Sequence, residues 1–434
     1  MSDSKIFIGV DIGTSKIVTV IAQIDENINI IGVSEIKSVG IKKGQIVDIE
    51  NAVNSIIKSL EAAERMAGYG AKNVFVSVGG SHIESQNSNG TVAVSSKQVE
   101  ITQNDIDRVI DSARAVTMPS YRQIIHVLPR NFTVDGQEGI KDPISMTGYV
   151  LKVDAHIITA NITNIRNIER ALNEAGVNID NFVSIGYASS LAVLTDTEKE
   201  LGIVLVDIGS GTTSICIYID GSVSFSSVIP IGARHITSDL ALGLRISIES
   251  AEKIKIHLSG CVVRKTIRPD DLEGLSENKI IDKSDELDIS LLDIPEELKK
   301  ISKKTLIEGI IRPRLNEIFT MVGLEIKRSG YGGKTPAGLV VTGGGSKTVA
   351  MTEAAKRMLL MPVRIGNPKD LKGIVDEADD PSFSAVIGLC IFASKKNLKS
   401  ENTLPFSFSL SNIQLQSFYK FFKKITNLIK SLMP

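Results

Sequence analysis

The chain has 434 residues, 42% of them hydrophobic, enough for two to four domains with real cores. A formal net charge of -1 gives no general pull toward nucleic acid, and three cysteines (Cys216, Cys261, Cys390) without metal spacing point to buried thiols in a reducing cytosol. No apolar run is long enough to span a membrane, the first strand begins too early for a signal peptide, and the five histidines form no ligand set.

In chain order, Ile6 to Val10 read as a buried strand running into Asp11-Ile-Gly13-Thr14-Ser15-Lys16, and Ile17 to Ala22 return as a second strand. Ile28 to Lys37 predict another strand, Ile49 to Met66 an amphipathic helix, and Asn73 to Val78 a buried strand ending at Gly79-Gly80. This is half of a doubly wound domain. The pattern is then interrupted over 81–160. Ser85 to Gly90 are polar, Thr102 to Thr117 read as a capped helix, and Ile124 to Val134 and Val150 to Thr159 read as strands. A stretch of this length with its own apolar pattern is a small separate α+β unit and not a decorated loop. Asn164 to Ala175 resume a helix, and Phe182 to Leu194 link into a second lobe.

Ile203 to Gly221 repeat the opening unit: strand, Asp207-Ile-Gly209-Ser210-Gly211-Thr212-Thr213, strand. One copy could be an ordinary tight hairpin, but two imply similar domains facing each other. Glycines let backbone N–H groups crowd a polyanion, the hydroxyls add donors, Lys16 adds a point charge, and Asp11 and Asp207 can hold a hydrated divalent cation. The pattern lacks the helix and the GK[ST] of a P-loop. Ile231-Gly232-Ala233 read as a turn, Ser247 caps a helix ending at Gly260, and Glu252 with Lys255 reads as a solvated charge pair. A more charged region to Lys304 carries strand-like Lys279 to Ile281 and Leu287 to Leu292, and Thr305 to Lys327 follow as a helix bent at Pro313. Ala337 to Thr342 form a strand into Gly343-Gly344-Gly345-Ser346, before a helix from Val349 to Leu360. Three glycines at a helix start admit a flat ring or ribose closely, and the helix end favours an anion. Met361 to Ile365 read as a strand and Phe383 to Ala393 as a helix; 394–411 read as a flexible linker.

In the tail, 412–434, Phe418, Phe421, Phe422, Ile425, Leu428, Ile429 and Leu432 fall on one helical stripe. Lys420, Lys423, Lys424 and Lys430 take the rest of the surface, and no acidic residue follows Glu401. Such a helix lies in the plane of an anionic membrane; a helix for a partner's groove is the rival.

These motifs together resemble the actin-like ATPase superfamily: the two DxG turns look like its phosphate motifs and TGGGS like its adenosine motif. FIGVDIGTSKI, VGGSHIES, VLVDIGSGTT, VVTGGGSK, DDPSFSAVIG and the basic tail narrow the resemblance to the FtsA family of bacterial cell-division proteins, over essentially the whole chain. The resemblance implies an α/β, actin-like (ribonuclease H-like) ATPase fold with two lobes around a nucleotide cleft. Lobe 1 is then 1–80 and 161–194, the family's inserted subdomain 81–160, lobe 2 195–228 and 305–393, and its small subdomain 229–304. ATP or ADP with Mg2+ is the implied cofactor, and Glu252 and Lys255 would touch ribose and adenine. The small subdomain would bind the acidic, apolar tail of FtsZ, with Lys299, Lys300, Lys303, Lys304, Arg312 and above all Arg314 facing it; residue by residue, a solvated lysine face explains them equally. Other implied partners are further copies of the chain, later division proteins at the inserted unit, and anionic lipids of the inner membrane, on whose cytoplasmic side the protein would sit at the division site.

In hydrolysing relatives a Glu or Gln in the link orients the attacking water, whereas Val183 to Ser190 offers neither. Without a positioned base the rate loses about 10² to 10⁴. The expectation is an ATP-binding structural protein with at most slow turnover and no identified catalytic residue. The rival class is an ATP-hydrolysing kinase or chaperone of the same superfamily, against which the missing base and the lipid-seeking tail both count.

Overall fold

The computed structural model describes residues 5–401, except 26, 95–99, 267–284, 291, 297–299 and 375–377. Its first half opens with an antiparallel meander of β1 (Lys5–Ile12), β2 (Lys16–Ile24) and β3 (Ile28–Lys37). A small hairpin, β4 (Ile41–Lys42) and β5 (Gln45–Ile46), leads to helix α1 (Ile49–Ala67). Asp48 caps that helix at its start and left-handed Gly68 at its end, and its apolar stripe of Ala52, Ile56, Leu60 and Ala63 enters the core. β6 (Asn73–Val78) then joins β1 in parallel.

The inserted stretch forms its own sheet from β7 (Glu84–Ala93), β8 (Arg122–Val134), β9 (Gln137–Ile140) and β10 (Val150–Asn161), in the order β7-β10-β8-β9. Helix α2 (Gln103–Arg114) contributes Ile106, Val109 and Ala113 to a separate apolar cluster with Phe132, Val134, Leu151, Val153 and Ala155. The polar run at Ser85 to Gly90, which has no strand pattern, is a strand because β10 pairs with it along its whole length. The chain returns to the first sheet through α3 (Ile162–Glu174) and β11 (Asn178–Ser184), then leaves it by α4 (Ile185–Val193) and α5 (Asp196–Leu201).

The second half repeats the first. β12 (Ile203–Ile208), β13 (Thr213–Ile219) and β14 (Ser222–Ile229) form the meander, and β17 (Leu339–Thr342) and β18 (Val363–Ile365) add in parallel. The order β14-β13-β12-β17-β18 matches β3-β2-β1-β6-β11 strand for strand. Between β14 and β17 lie α6 (Ala233–Leu244), α7 (Ile248–Thr266), the short pair β15 (Glu286–Asp288) and β16 (Lys300–Ser302), α8 (Lys303–Leu306) and α9 (Arg312–Arg328). α10 (Met351–Leu359) precedes β18, and β19 (Leu371–Gly373) and α11 (Ser384–Glu401) follow it.

Several boundaries differ from the pattern-based expectation. Helix α6, which the pattern-based expectation lacks, buries Ala233, Ile236, Thr237, Leu240 and Ala241 at helical spacing. α7 runs through Gly260 to Thr266, because that glycine is not in the left-handed conformation that ends a helix. Ahead of Pro313 the helix widens into a π turn at Ile307–Ile311, with Arg312 N bonded to Ile307 O; the proline has no N–H to continue the ladder. The helix expected from Val349 begins at Met351, after a 3-10 turn at Gly344–Lys347. α11 continues through Ser394 to Glu401, into the stretch expected to be linker, where Lys and Leu favour a helix and neither Gly nor Pro occurs. The strand expected at Lys279 to Ile281, Lys299 and the amphipathic tail lie outside the described residues.

Helices α4 and α11 pack together, most closely at Gly388. A Cβ on Gly388 would stand 1.8 Å from the carbonyl oxygen of Ala188. Gly388→Val is expected to destabilise the chain by about 3 kcal/mol, read as a lower denaturant midpoint at unchanged slope; an unchanged midpoint refutes this.

Candidate functional site

Both sheets end at the cleft in the same turn, Gly13 N donating to Lys16 O (3.0 Å) and Gly209 N to Thr212 O (2.9 Å). The two turns meet. A Cβ on Gly211 would stand 3.0 Å from Thr14 Oγ1 and 3.2 Å from Lys43 Cα, so a side chain there needs the facing turn to give by a few tenths of an ångström. Thus Gly13, Thr14 and Ser15 lie in one wall, and Gly209, Ser210, Gly211 and Thr212 in the other. Thr14 Oγ1 accepts from Gly44 N (2.9 Å), which ties the β4–β5 hairpin to the first turn. In the second turn, the carbonyls of Gly209 and Ser210 accept from Ala233 N and Arg234 N at the start of α6 (both 2.9 Å). Thr213 is buried with its hydroxyl donated to Ile231 O (2.8 Å), so it braces the turn.

Asp11 and Asp207 stand at corresponding positions near the ends of β1 and β12. Asp11 Oδ1 accepts from Ser77 Oγ and Asp207 Oδ2 from Ser189 Oγ, each at 2.5 Å. Burial raises both carboxyls above the ordinary range. Asp207 is pushed up to about 7, first by desolvation, against the Ser189 hydrogen bond, and then by the negative charge of Asp11. For Asp11 the Ser77 hydrogen bond and the Lys16 charge work against burial. Two repelling carboxylates, Asp207 buried and Asp11 half-buried, each with one oxygen held by a serine, suit a hard cation that keeps most of its own waters, which is how Mg2+ is bound. Among the described residues no three His, Cys, Asp or Glu side chains converge to form a closed metal cage.

Lys16 Nζ donates to Glu35 Oε2 (2.5 Å) and Ser382 Oγ (2.9 Å) and lies 4.6 Å from the centre of the Phe383 ring. It therefore stands beside the first turn with partners of its own. The glycine run of the second lobe adjoins Asp207: a Cβ on Gly343 would lie 2.2 Å from Asp207 Oδ1, and one on Gly345 would lie 2.6 Å from Ile208 Cγ2. Ser346 closes this turn by donating to Gly343 O (2.7 Å). Only Gly344 is nearly open, with Ser382 Cβ at 3.5 Å. Glu252 and Lys255 are paired at 2.8 Å, and both bond Thr237 Oγ1; the charge pair that their spacing predicts is made, but Lys255 is buried instead of solvated. One turn further on, Ser259 Oγ accepts from Val349 N (3.1 Å) and joins α7 to the glycine motif.

The basic residues of the second lobe are dispersed. Lys300 pairs with Glu286 across β15 and β16 (2.7 Å), and Lys304 lies in α8. Arg312 pairs with Glu308, while Arg314 makes a bidentate pair with Asp239 (2.6 and 2.8 Å) and also contacts Glu317. A cavity of about 350 Å³ opens here, lined by Asp239, Leu242, Gly309, Ile310, Pro313, Arg314 and Glu317.

Sequence reasoning missed Ser77 and Ser189. Ser77 has only the signal of a hydroxyl near the end of a buried strand, ahead of Gly79-Gly80. Ser189 has no such signal; it reaches Asp207 only because α4 crosses the cleft. Val183 to Ser190 brings no carboxylate or carboxamide there.

A sequence profile described as the SHS2 domain inserted in FTSA matches residues 80–159, and one described as cell division protein FtsA matches 204–388. The chain is 37% identical over 398 residues to the cell division protein FtsA of Pseudomonas aeruginosa, covering 91% of each. With that of Borreliella burgdorferi it shares 39% over 390 residues, 89% of this chain and 91% of the relative. With that of Escherichia coli it shares 32% over 410 residues, 92% and 93%. Among solved structures, the PilM-PilN type IV pilus biogenesis complex superposes with a TM-score of 0.60 at 13% identity, covering 89% of this chain and 98% of that one. MreB 5 of Spiroplasma citri bound to AMPPNP superposes with 0.53 at 14%, covering 93% and 100%. The fold is the actin-like one.

Proposed function

Because the chain belongs to the FtsA family of cell division proteins, we propose that it binds Mg–ATP or Mg–ADP between its lobes and ties FtsZ filaments to the cytoplasmic face of the inner membrane at the division site. The observation that carries the nucleotide part is the meeting of two equivalent glycine turns, each beside a serine-held aspartate. Gly13, Thr14, Ser15 and Lys16 take one side of the phosphates and Gly209, Ser210, Gly211 and Thr212 the other, with the cation between Asp11 and Asp207. The adenosine lies against Gly343 to Ser346, on the side left open at Gly344. Turnover is slow because Val183 to Ser190 offers no carboxylate or carboxamide to orient and activate a water. ATP thus serves assembly with further copies of the chain, while the inserted unit takes later division proteins.

The FtsZ tail docks at the cavity beside α9. Leu242 is 78% exposed there and with Ile310 offers an apolar seat, while Arg314 sits in a carboxylate pair that an acidic peptide can enter. The tail of this chain, 412–434, supplies the membrane anchor. The test is reconstitution on anionic vesicles with Mg–ATP, in which FtsZ is expected to pellet with vesicles only when this chain is added. Leu242→Asp is expected to weaken that recruitment at least about tenfold without loosening the chain's own hold on vesicles. Recruitment unaffected by Leu242→Asp would remove the cavity from the reading.

A further inference from the structure

The inserted unit is covalently part of the first lobe, entered from β6 and left through α3, yet it is hydrogen-bonded to the edge strand of the second. Ser85 Oγ donates to Ser226 O (2.6 Å) and accepts from Ser226 N (3.2 Å), and Asn87 Nδ2 donates to Ser224 O (3.2 Å). His156 lies between Asn87 Oδ1 (2.7 Å) and Ser226 Oγ (3.0 Å). On β8, Arg130 Nε donates to Ser224 Oγ (3.1 Å) while its carbonyl accepts from Ser222 Oγ (2.9 Å). These hydrogen bonds lie beside a smaller apolar contact, Val228 of β14 on the cluster that holds Ile158 and Ala160, and Leu128 of β8 on the cluster that holds Val223, while the unit's main apolar cluster lies within itself. Burial holds His156 near a pKa of 3, so at neutral pH it is an uncharged bridge between the two sides. Conversely, the first lobe's edge strand β3 is covered by β19, a segment that follows the second lobe's sheet.

In the same structure the phosphate turns touch at Thr14 and Gly211. Closed cleft and made contacts therefore occur together. A rotation that parts the turns about an axis away from β14 must either carry the inserted unit away from its own lobe or break its bonds to β14. Polar bonds of this kind exchange for water at small net loss, unlike an apolar interface, so they can break and reform repeatedly.

We infer that the hydrogen bonds from Ser85, Asn87, Arg130 and His156 to β14 form a clasp that closes with the cleft, so that bound nucleotide sets whether the inserted unit is docked on the second lobe. This rests on the reading that Mg–ATP occupies the cleft. The clasp is a contact between parts that move relative to each other, and both the ligand and the clasp favour one arrangement. Linkage makes the coupling reciprocal: whatever factor nucleotide adds to clasp closure, the clasp adds to nucleotide affinity.

Hydrogen exchange on the full chain, with and without saturating Mg–ATP, tests this. Amides of 84–88 and 222–227 are expected to exchange at least about tenfold more slowly with Mg–ATP, while those of 106–113 in α2 stay unchanged. The variant Asn87→Ala with Ser226→Ala is expected to lose this protection and to bind Mg–ATP more weakly by the same factor. If the turns at 11–16 and 207–213 become protected but 84–88 and 222–227 do not, the clasp is overturned and nucleotide binding stands. If none of these segments responds, both fall. Should the variant not fold, the wild-type comparison decides alone.

Discussion

Replacing Asp11 and Asp207 together by asparagine is expected to weaken Mg–ATP binding about 10³-fold or more while leaving the fold intact. Charge-assisted contacts of a carboxylate are worth about 1.5–3 kcal/mol each, and two lost contacts amount to about 4 kcal/mol, or three decades in affinity. Asparagine has the same shape and still accepts from Ser77 and Ser189, so packing is kept. The apo variant is also expected to melt higher than wild type near pH 8, because a repelling pair is gone. The direction with pH follows from Asp207. Its folded pKa, about 7, stands above its ordinary 3.8, so ionising it costs apo stability as pH rises through that window. A cation needs the ionised form, so Mg–ATP affinity is expected to fall as pH drops below about 7 in wild type and to stay flat in the variant. Calorimetric titration of both proteins at pH 6 and pH 8 measures this; an affinity unchanged by the double substitution would take the cation, and the phosphate reading with it, out of the cleft.

Ending the chain at Asn397 is expected to abolish co-sedimentation with anionic vesicles. Among the described residues the last fully buried side chain is Ala393, which the truncation keeps. It removes Phe418, Phe421, Phe422, Ile425, Leu428, Ile429 and Leu432 with their flanking lysines. Each apolar side chain contributes about 1.5–3 kcal/mol at full burial, and each lysine near anionic lipid about 1 kcal/mol. Even a fraction of that sum separates bound from free. The full chain is expected to pellet with anionic vesicles, less with neutral ones and less in high salt, while the truncated chain stays in solution yet still binds the FtsZ tail peptide. Equal pelleting of the two chains would assign the tail to a partner's groove or to the core.

The two glycine turns, the doubled strand pattern and the inserted unit were legible in the amino-acid order because each is local: glycine and aspartate positions dictate the turn, and β-branched runs dictate the strands beside it. Where the pattern is polar the reading stopped. β7 has no apolar alternation and exists because β10 offers it a ladder, and β19 is three residues whose only reason to be extended is the edge of β3. The order of residues marks Lys16 as a point charge beside the first turn, while Glu35 and the adjacent Ser382 and Phe383 reach it from two distant places in the chain. Arg314 likewise sits in a pair with Asp239 from another helix. The amino-acid order by itself determined which residues can bend tightly around a polyanion and which bury. Only the tertiary structure decided which hydroxyl holds each aspartate and which strand the inserted unit grips, because a hydrogen bond between distant side chains leaves no periodic trace in the order of residues.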